Sequence, residues 1–249
     1  MEIRRKNKLI EIFDAKRIIV FGDLHGDFDS FSKVYDFLDK DCLIIFLGDY
    51  ADRGDFGVEI LESLNKLLKE NKNVIALKGN HESYDEYGNP NFRPCDLREE
   101  VSFKRGNWLD YYNNFLKDFF FSLPIAAIYE DKYLFIHGGV SRKISSRKIL
   151  ENPSSEIEEI ILWSDPFEGK GEAYNPRGAG VLFGKDVTED VLKKLNVRKI
   201  VRSHEPQKAL NGYFYSHNNK VLTISSTRVY GGKPVVLEIV DEKENFIEL

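Results

Sequence analysis

Ile44-Ile45-Phe46-Leu47-Gly48-Asp49-Tyr50-Ala51-Asp52-Arg53-Gly54 is an apolar run that ends abruptly in two aspartates and an arginine. Residues 42–47 are continuously apolar, the pattern of a strand covered on both faces. Charges at the end of such a strand are costly to bury unless they hold a ligand. Asp49, Asp52 and Arg53 are therefore the first candidates for a site.

The same arrangement recurs on either side. Residues 16–21 form a short β-branched run that ends in Gly22-Asp23-Leu24-His25-Gly26-Asp27. Phe28, Phe31, Val34, Tyr35 and Leu38 follow at helical spacing, with Asp27 or Asp29 as cap. After the central loop, Val58, Leu61, Leu64, Leu67 and Leu68 mark a second amphipathic helix. Residues 74–77 are a third strand, ending in Lys78-Gly79-Asn80-His81-Glu82. Strand and helix thus alternate, as in an α/β fold.

Residues 83–95 carry Tyr, Gly, Asn and Pro and read as an irregular loop over the site, and the stripe Trp108, Tyr111, Tyr112, Phe115 and Phe119 reads as a core-facing helix. Residues 123–129 and 133–136 are strands by type, the second running into His137-Gly138-Gly139. Residues 141–160 are charged, with weak helix signals, and invite no chemistry. A helix over 188–195 leads to a strand over 199–202 and then to Ser203-His204. Residues 213–217 and 221–225 read as a hairpin about Asn218-Asn219, followed by Tyr230-Gly231-Gly232 and a closing strand over 235–240. His217 lies outside every motif and is expected at the surface.

At 249 residues and 42% hydrophobic composition the chain can bury one substantial core, and a single domain over 1–249 is expected. A net charge of −5 with scattered cations suggests neither a nucleic-acid groove nor a membrane patch. No apolar run reaches membrane-spanning length, and residues 1–13 interleave charged and apolar residues without a signal-peptide core, so a cytoplasmic protein is expected. Cys42 and Cys95 are too few for a disulfide framework. Gly48 and Val101, not arginine, stand six positions after them, which excludes a cysteine-phosphatase signature.

Brought together by their strand ends, Asp23, His25, Asp49, Asn80, His137 and His204 make an oxygen and nitrogen ligand set without sulfur, suited to Mn, Fe or Zn. Asp23 and His25, two apart in extended chain, point the same way and can reach one ion. Asp49 is placed to bridge to a second ion held by Asn80, His137 and His204. Two such ions clamp a phosphoryl group and turn a shared water into hydroxide near neutral pH. Arg53 and Arg177 suit forked contacts with phosphoryl oxygens, and His81 beside Asp52 has the arrangement of a general acid held in its tautomer.

Taken in order, Gly22-Asp23-Leu24-His25-Gly26, Gly48-Asp49-Tyr50-Ala51-Asp52-Arg53-Gly54, Gly79-Asn80-His81-Glu82, His137-Gly138-Gly139, Arg177-Gly178 and Ser203-His204 resemble the phosphoprotein phosphatases. These are the metal-dependent serine/threonine phosphatases of the calcineurin-like metallophosphoesterase superfamily. Leu123-Pro124-Ile125-Ala126-Ala127 and Trp163-Ser164-Asp165-Pro166 add to the likeness, which runs from Gly22 to Gly232. The resemblance implies an α/β fold with a central β-sandwich of mixed sheets flanked by helices. It implies two divalent ions, manganese foremost and Fe, Zn, Co or Ni as alternatives, one on Asp23, His25 and Asp49, the other on Asp49, Asn80, His137 and His204. It further implies that hydroxide between the ions attacks phosphorus in line, that His81 with Asp52 assists the leaving group, and that Arg53, Arg177, Asn80 and Tyr230 meet a phosphoprotein or phosphopeptide substrate.

Two positions depart from the family pattern: Gly231 stands where a cysteine is common, and the segment after Glu82 is unlike the usual sequence. Both lie where substrates are read. Residue by residue, Asp52 is open between a turn and a supporting role, Asp165 is better read as supporting a site group than as acting directly, Glu82 is equally a helix cap or a site residue, and Tyr230 is equally a hairpin aromatic or a pocket wall. A dinucleoside polyphosphate (diadenosine tetraphosphate) hydrolase is the alternative enzyme, and a non-catalytic scaffold the alternative of another class.

Overall fold

A strand buried on both faces must send alternate side chains into two different cores. Cys42, Ile44 and Phe46 enter one apolar cluster, and Leu43, Ile45 and Leu47 enter another. The computed structural model describes residues 1–249. Its strands are β1 (Glu2–Lys6), β2 (Leu9–Phe13), β3 (Arg17–Phe21), β4 (Cys42–Phe46), β5 (Val74–Ala76), β6 (Ala126–Tyr129), β7 (Tyr133–Ile136), β8 (Asp165–Pro166), β9 (Glu172–Tyr174), β10 (Val181–Phe183), β11 (Lys199–Arg202), β12 (Tyr213–Ser216), β13 (Val221–Ile224), β14 (Val235–Val240) and β15 (Lys243–Glu248).

Five strands form one mixed sheet in the order β15-β14-β3-β4-β5, with β3, β4 and β5 parallel. Seven form a second, β1-β2-β6-β7-β11-β13-β12, in which β7, β11 and β13 are parallel, and β8, β10 and β9 form a small third sheet. Ile18, Val20, Leu43 and Ile45 from the first sheet share a cluster with Ile12, Phe135, Val201 and Leu222 from the second, so the sheets pack face to face. The outer face of the five-stranded sheet is covered by helices Phe28–Ser32, Gly57–Glu70, Leu97–Lys104, Trp108–Tyr111 and Lys117–Ser122. Helices Arg147–Glu151, Ser155–Trp163 and Lys185–Leu195 cover the outer face of the seven-stranded sheet. The result is the β-sandwich with flanking helices. No helix is long and apolar enough to cross a membrane.

Several elements differ from the sequence reading, each for a local reason. The charged N-terminus supplies β1 and β2. Leu9, Ile10 and Ile12 are buried there because β2 pairs with β6, while β1 is an exposed edge. Residues 141–160 hold two helices. Ser154 caps the second by accepting from the Ile157 amide at 3.3 Å, and its buried stripe Ile157, Ile160 and Ile161 is too short to stand out among the charges. The aromatic stripe is core, as read, but a π-helical turn at Tyr112–Leu116 interrupts it, so that Trp108, Tyr112, Leu116 and Phe119 face inward.

His217 is the clear correction. It is 1% exposed, its Nδ1 lies 2.7 Å from Thr188 Oγ1, and its Nε2 lies 2.9 Å from the Phe167 carbonyl. The hairpin turn places residues 217–219 in the left-handed region, which aims the imidazole under the helix Lys185–Leu195. We expect His217→Ala to destabilise the fold by about 1–3 kcal/mol, the range for stranding buried hydrogen-bonding partners. An unchanged urea midpoint would show that the bridge contributes nothing.

Candidate metal centre and active-site cleft

The parallel strands of the two sheets end on one side of the sandwich, where α/β sheets present their ligands. β3 delivers Asp23 and His25, β4 delivers Asp49, and β5 delivers Asn80 and His81. From the other sheet, β7 delivers His137 and β11 delivers His204. His25, Asp49, Asp52, Arg53 and His204 all adopt positive φ, between 46° and 76°. For residues with a Cβ this costs about 1–2 kcal/mol each, so the surroundings must impose it.

Hydrogen bonds between the loops do so. The amides of Leu24 and His25 donate to the Asp49 carbonyl at 3.0 and 2.9 Å, and the Gly54 amide donates to the His25 carbonyl at 2.9 Å. Buried Glu82 accepts from the amides of Asp49, Tyr50 and Gly79 at 2.9, 3.0 and 2.8 Å. Burial and the neighbouring Asp49 charge push the Glu82 carboxyl up to about 7. Glu82 therefore caps its own turn and also ties the β5 loop to the β4 loop. A Cβ on Gly48 would strike the Gly79 backbone, so the two loops can approach this closely only through glycine.

The side chains converge as acceptors. His25 Nδ1 donates to the Ala51 carbonyl at 3.0 Å, which leaves the Nε2 lone pair 3.5 Å from Asp49 Oδ2 and 4.0 Å from Asp23 Oδ2. Asp23 Oδ2 is buried without a hydrogen-bond partner. His137 Nδ1 donates to the Leu47 carbonyl at 3.1 Å, which leaves Nε2 2.9 Å from Asn80 Oδ1, 3.1 Å from His204 Nδ1 and 3.4 Å from Asp49 Oδ1. The two oxygens of Asp49 thus face two neighbouring clusters of lone pairs. Buried acceptors facing one another repel unless cations lie between them, so this donor set fits divalent ions bound to oxygen and nitrogen.

Two of the histidines titrate in the liganding direction: burial pushes His25 and His204 down, toward the neutral form, whereas at His137 burial is outweighed by the Asp49 carboxylate, which raises the pKa. Burial opposes ionisation of Asp49, but His137 and His81 outweigh it and hold the carboxyl well below its usual range. His81 moves the other way: burial disfavours its charge, yet Asp49 and Asp52 raise its pKa.

His81 also lies close enough to His25 and Asp49 to compete as a ligand. Its Nδ1 is 2.7 Å from Asp52 Oδ2, leaving Nε2 as the free ring nitrogen of a residue that lines a cleft of about 460 Å³. Arg53, Arg177, Trp163 and Tyr230 line the same cleft. Arg53 donates to Asp96 at 2.8 Å and to the Pro94 carbonyl at 3.1 Å. Arg177 donates to Asp165 at 2.7 Å, and fully buried Arg202 donates to the other oxygen of Asp165 at 2.9 Å. Burial would raise the Asp165 carboxyl, but Arg202, His204 and Arg177 bring it down to about 2. Asp165 therefore touches two arginines. Tyr230 stands edge-on to His25 with ring centroids 5.5 Å apart.

Asp96, Arg93 and Lys208, which sequence reasoning passed over, belong to the cleft or to its supports. They lie in segments with no motif, and no local signal marks them. A larger hollow of about 750 Å³ lies along β5 beside Ile3, Leu68 and Phe119, and it gathers no ligand set.

The division of Asp49 between two clusters can be tested by stability. With manganese roughly a hundredfold above Kd, the parent should gain about 2.7 kcal/mol for each ion bound. Asp49→Asn places a donor amide at the shared point and should lose most of that gain in thermal unfolding with and without the ion. An equal gain in both proteins would mean that Asp49 is not shared.

A family model for calcineurin-like phosphoesterases matches residues 16–208. The chain is 36% identical over 226 residues to a probable serine/threonine-protein phosphatase of Encephalitozoon cuniculi, covering 86% of this chain and 48% of that protein. It is 31% identical over 238 residues to a serine/threonine-protein phosphatase of Caenorhabditis elegans, covering 90% and 50%. The chain thus spans about half the length of the curated relatives it matches. A protein serine/threonine phosphatase structure from Saccharomyces cerevisiae superposes with a TM-score of 0.80 at 24% identity, covering 98% of this chain and 84% of that one. With the family match running through every strand end that carries a convergent side chain, the chain belongs to the calcineurin-like phosphoesterase family.

Proposed function

We propose that this protein is a metal-dependent phosphomonoesterase that removes phosphate from serine or threonine residues of proteins. The observation that carries the reading is the double cluster of acceptors divided by Asp49, with Arg53, Arg177 and the His81–Asp52 pair beside it. The names of the two relatives, both serine/threonine-protein phosphatases, support the substrate class.

In this reading Asp23, His25 and Asp49 hold one divalent ion, and Asp49, Asn80, His137 and His204 hold the other, manganese being favoured. When bound, the ions supply Lewis-acid polarisation of the phosphoryl group and acidify a water molecule. The protein side chains do the rest. Arg53 and Arg177, each fixed by a carboxylate, present N–H groups to phosphoryl oxygens, while Asn80 and Tyr230 bound the space the phosphate occupies. Asp52 holds the Nδ1 proton of His81, so a protonated His81 carries its second proton on Nε2. As a water oxygen bonds to phosphorus and the ester P–O bond breaks, that proton passes to the departing serine or threonine oxygen, inorganic phosphate is left, and Asp52 stabilises the remaining tautomer.

Residues 1–249 are read as one catalytic domain, in a cytoplasmic protein whose two cysteines are both free thiols. The deciding experiment compares kcat/KM on a phosphoserine peptide and on diadenosine tetraphosphate with metal-loaded protein. Preference for the peptide is expected, and preference for the dinucleotide would replace this reading.

Two variants test the chemistry. His81→Ala should lower kcat on a phosphoserine peptide by roughly 10²- to 10⁴-fold and lower it less on an aryl phosphate, whose leaving group needs little protonation. Equal losses on both substrates would make His81 a phosphate-binding group, and loss of an ion would make it a ligand. Burial pushes the Cys42 thiol up to about 11, and burial also raises Cys95, so neither is an activated nucleophile. The Cys42→Ser, Cys95→Ser double variant should keep most of its turnover, and an inactive, folded, metal-loaded double variant would reject a thiol-free mechanism.

A further inference from the structure

Four cations line the cleft, and three are already engaged. Arg53 pairs with Asp96 at 2.8 Å, Arg177 with Asp165 at 2.7 Å, and Lys208 with Glu205 at 2.5 Å. Arg93 is exposed, and its guanidinium has neither an acidic partner nor a hydrogen bond within the protein. It forms a wall of the cleft and also of an adjoining groove of about 510 Å³, which runs between Asn91 on one side and Trp163 and Gly178 on the other.

The backbone that carries Arg93 is fixed on both sides. Phe92 is buried with its ring centroid 4.4 Å from that of His81. The carbonyl of Pro94 accepts from Arg53, and the amides of Asp96 and Leu97 donate to Asp52 Oδ1. The backbone that bears the unengaged cation is therefore held beside the His81–Asp52 pair. A single phosphate is already met by Arg53 and Arg177, so Arg93 is surplus to it. The whole chain carries a net charge of −5, so an acidic substrate needs a local cation to be accepted.

We propose that Arg93 is a specificity-determining residue that receives the side-chain carboxylate of a residue neighbouring the phosphoresidue, in an extended peptide lying along this groove. The inference rests on the phosphopeptide reading above. A forked guanidinium matches a carboxylate in two-pronged geometry, and Arg93 gains this contact without breaking one inside the protein.

The test measures kcat/KM for phosphoserine peptides with Asp, Ala or Lys on both sides of the phosphoserine, using the parent, Arg93→Ala and Arg93→Glu. The parent should prefer the Asp-flanked over the Ala-flanked peptide by roughly two- to fivefold, as for an exposed charge pair. That ratio should fall to about one in Arg93→Ala, and the Lys-flanked peptide should become preferred in Arg93→Glu. Raising the salt concentration should shrink the parent's ratio. A parent ratio of one, or a ratio that survives both substitutions, overturns the role of Arg93 while leaving the phosphatase reading intact. Turnover of an aryl phosphate with no turnover of any peptide overturns the phosphopeptide reading, and the proposed carboxylate contact falls with it.

Discussion

The carboxylate of Asp49 lies where the ends of two sheets meet, and most of the site's geometry follows from holding it there. Its oxygens face histidine nitrogens from both sheets, while its own backbone is forced to positive φ. Such a group cannot be left to find its place after folding. The Asp49 amide is fixed by Glu82, its carbonyl by the amides of Leu24 and His25, and one carboxylate oxygen by the His81 amide. The β3, β4 and β5 loops are thereby bound to a single residue. Backbone strain of this kind persists only where many contacts over-determine it.

A second carboxylate extends the same rigidity to the cleft. One oxygen of Asp52 holds His81, and the other accepts the amides of Asp96 and Leu97. Asp96 in turn grips Arg53. The chain from Phe92 to Leu97 is therefore fastened beside the proposed general acid, which makes an irregular segment as well placed as a strand end. On the opposite wall Asp165, itself held by buried Arg202, does the equivalent for Arg177. Arg53 and Arg177 thus each have their own carboxylate, which restricts them to few rotamers before any substrate arrives.

The strand-end residues were legible because each follows an apolar run. Asp23, Asp49, Asn80 and His137 come after short, strongly apolar runs that read as buried strands, each with a flanking glycine, and His204 follows the weaker run Lys199–Arg202. The parallel part of the architecture was legible for the same reason. β1 and β15 were not, since edge strands with one wet face mix charged and apolar residues, and β2 was not, since Glu11 interrupts its short apolar run. The helix Ser155–Trp163 was missed because its apolar stripe is short. His217 was misread because its partners, Thr188 and the Phe167 carbonyl, are 29 and 50 residues away in sequence.

Side-chain order along the chain is enough to set the period-two burial of the central strands, the placing of polar residues at their ends, and hence the chemical type of the ligand set. These are local properties, set by side-chain spacing and by the cost of burying charge. Folding in three dimensions fixes the rest: which lone pairs face one another, that Glu82 ties two loops, that Asp165 serves two arginines, and that Arg93 alone among the cleft cations has no partner. Those outcomes depend on contacts between residues far apart in the chain, and such contacts exist only once the two sheets have packed together.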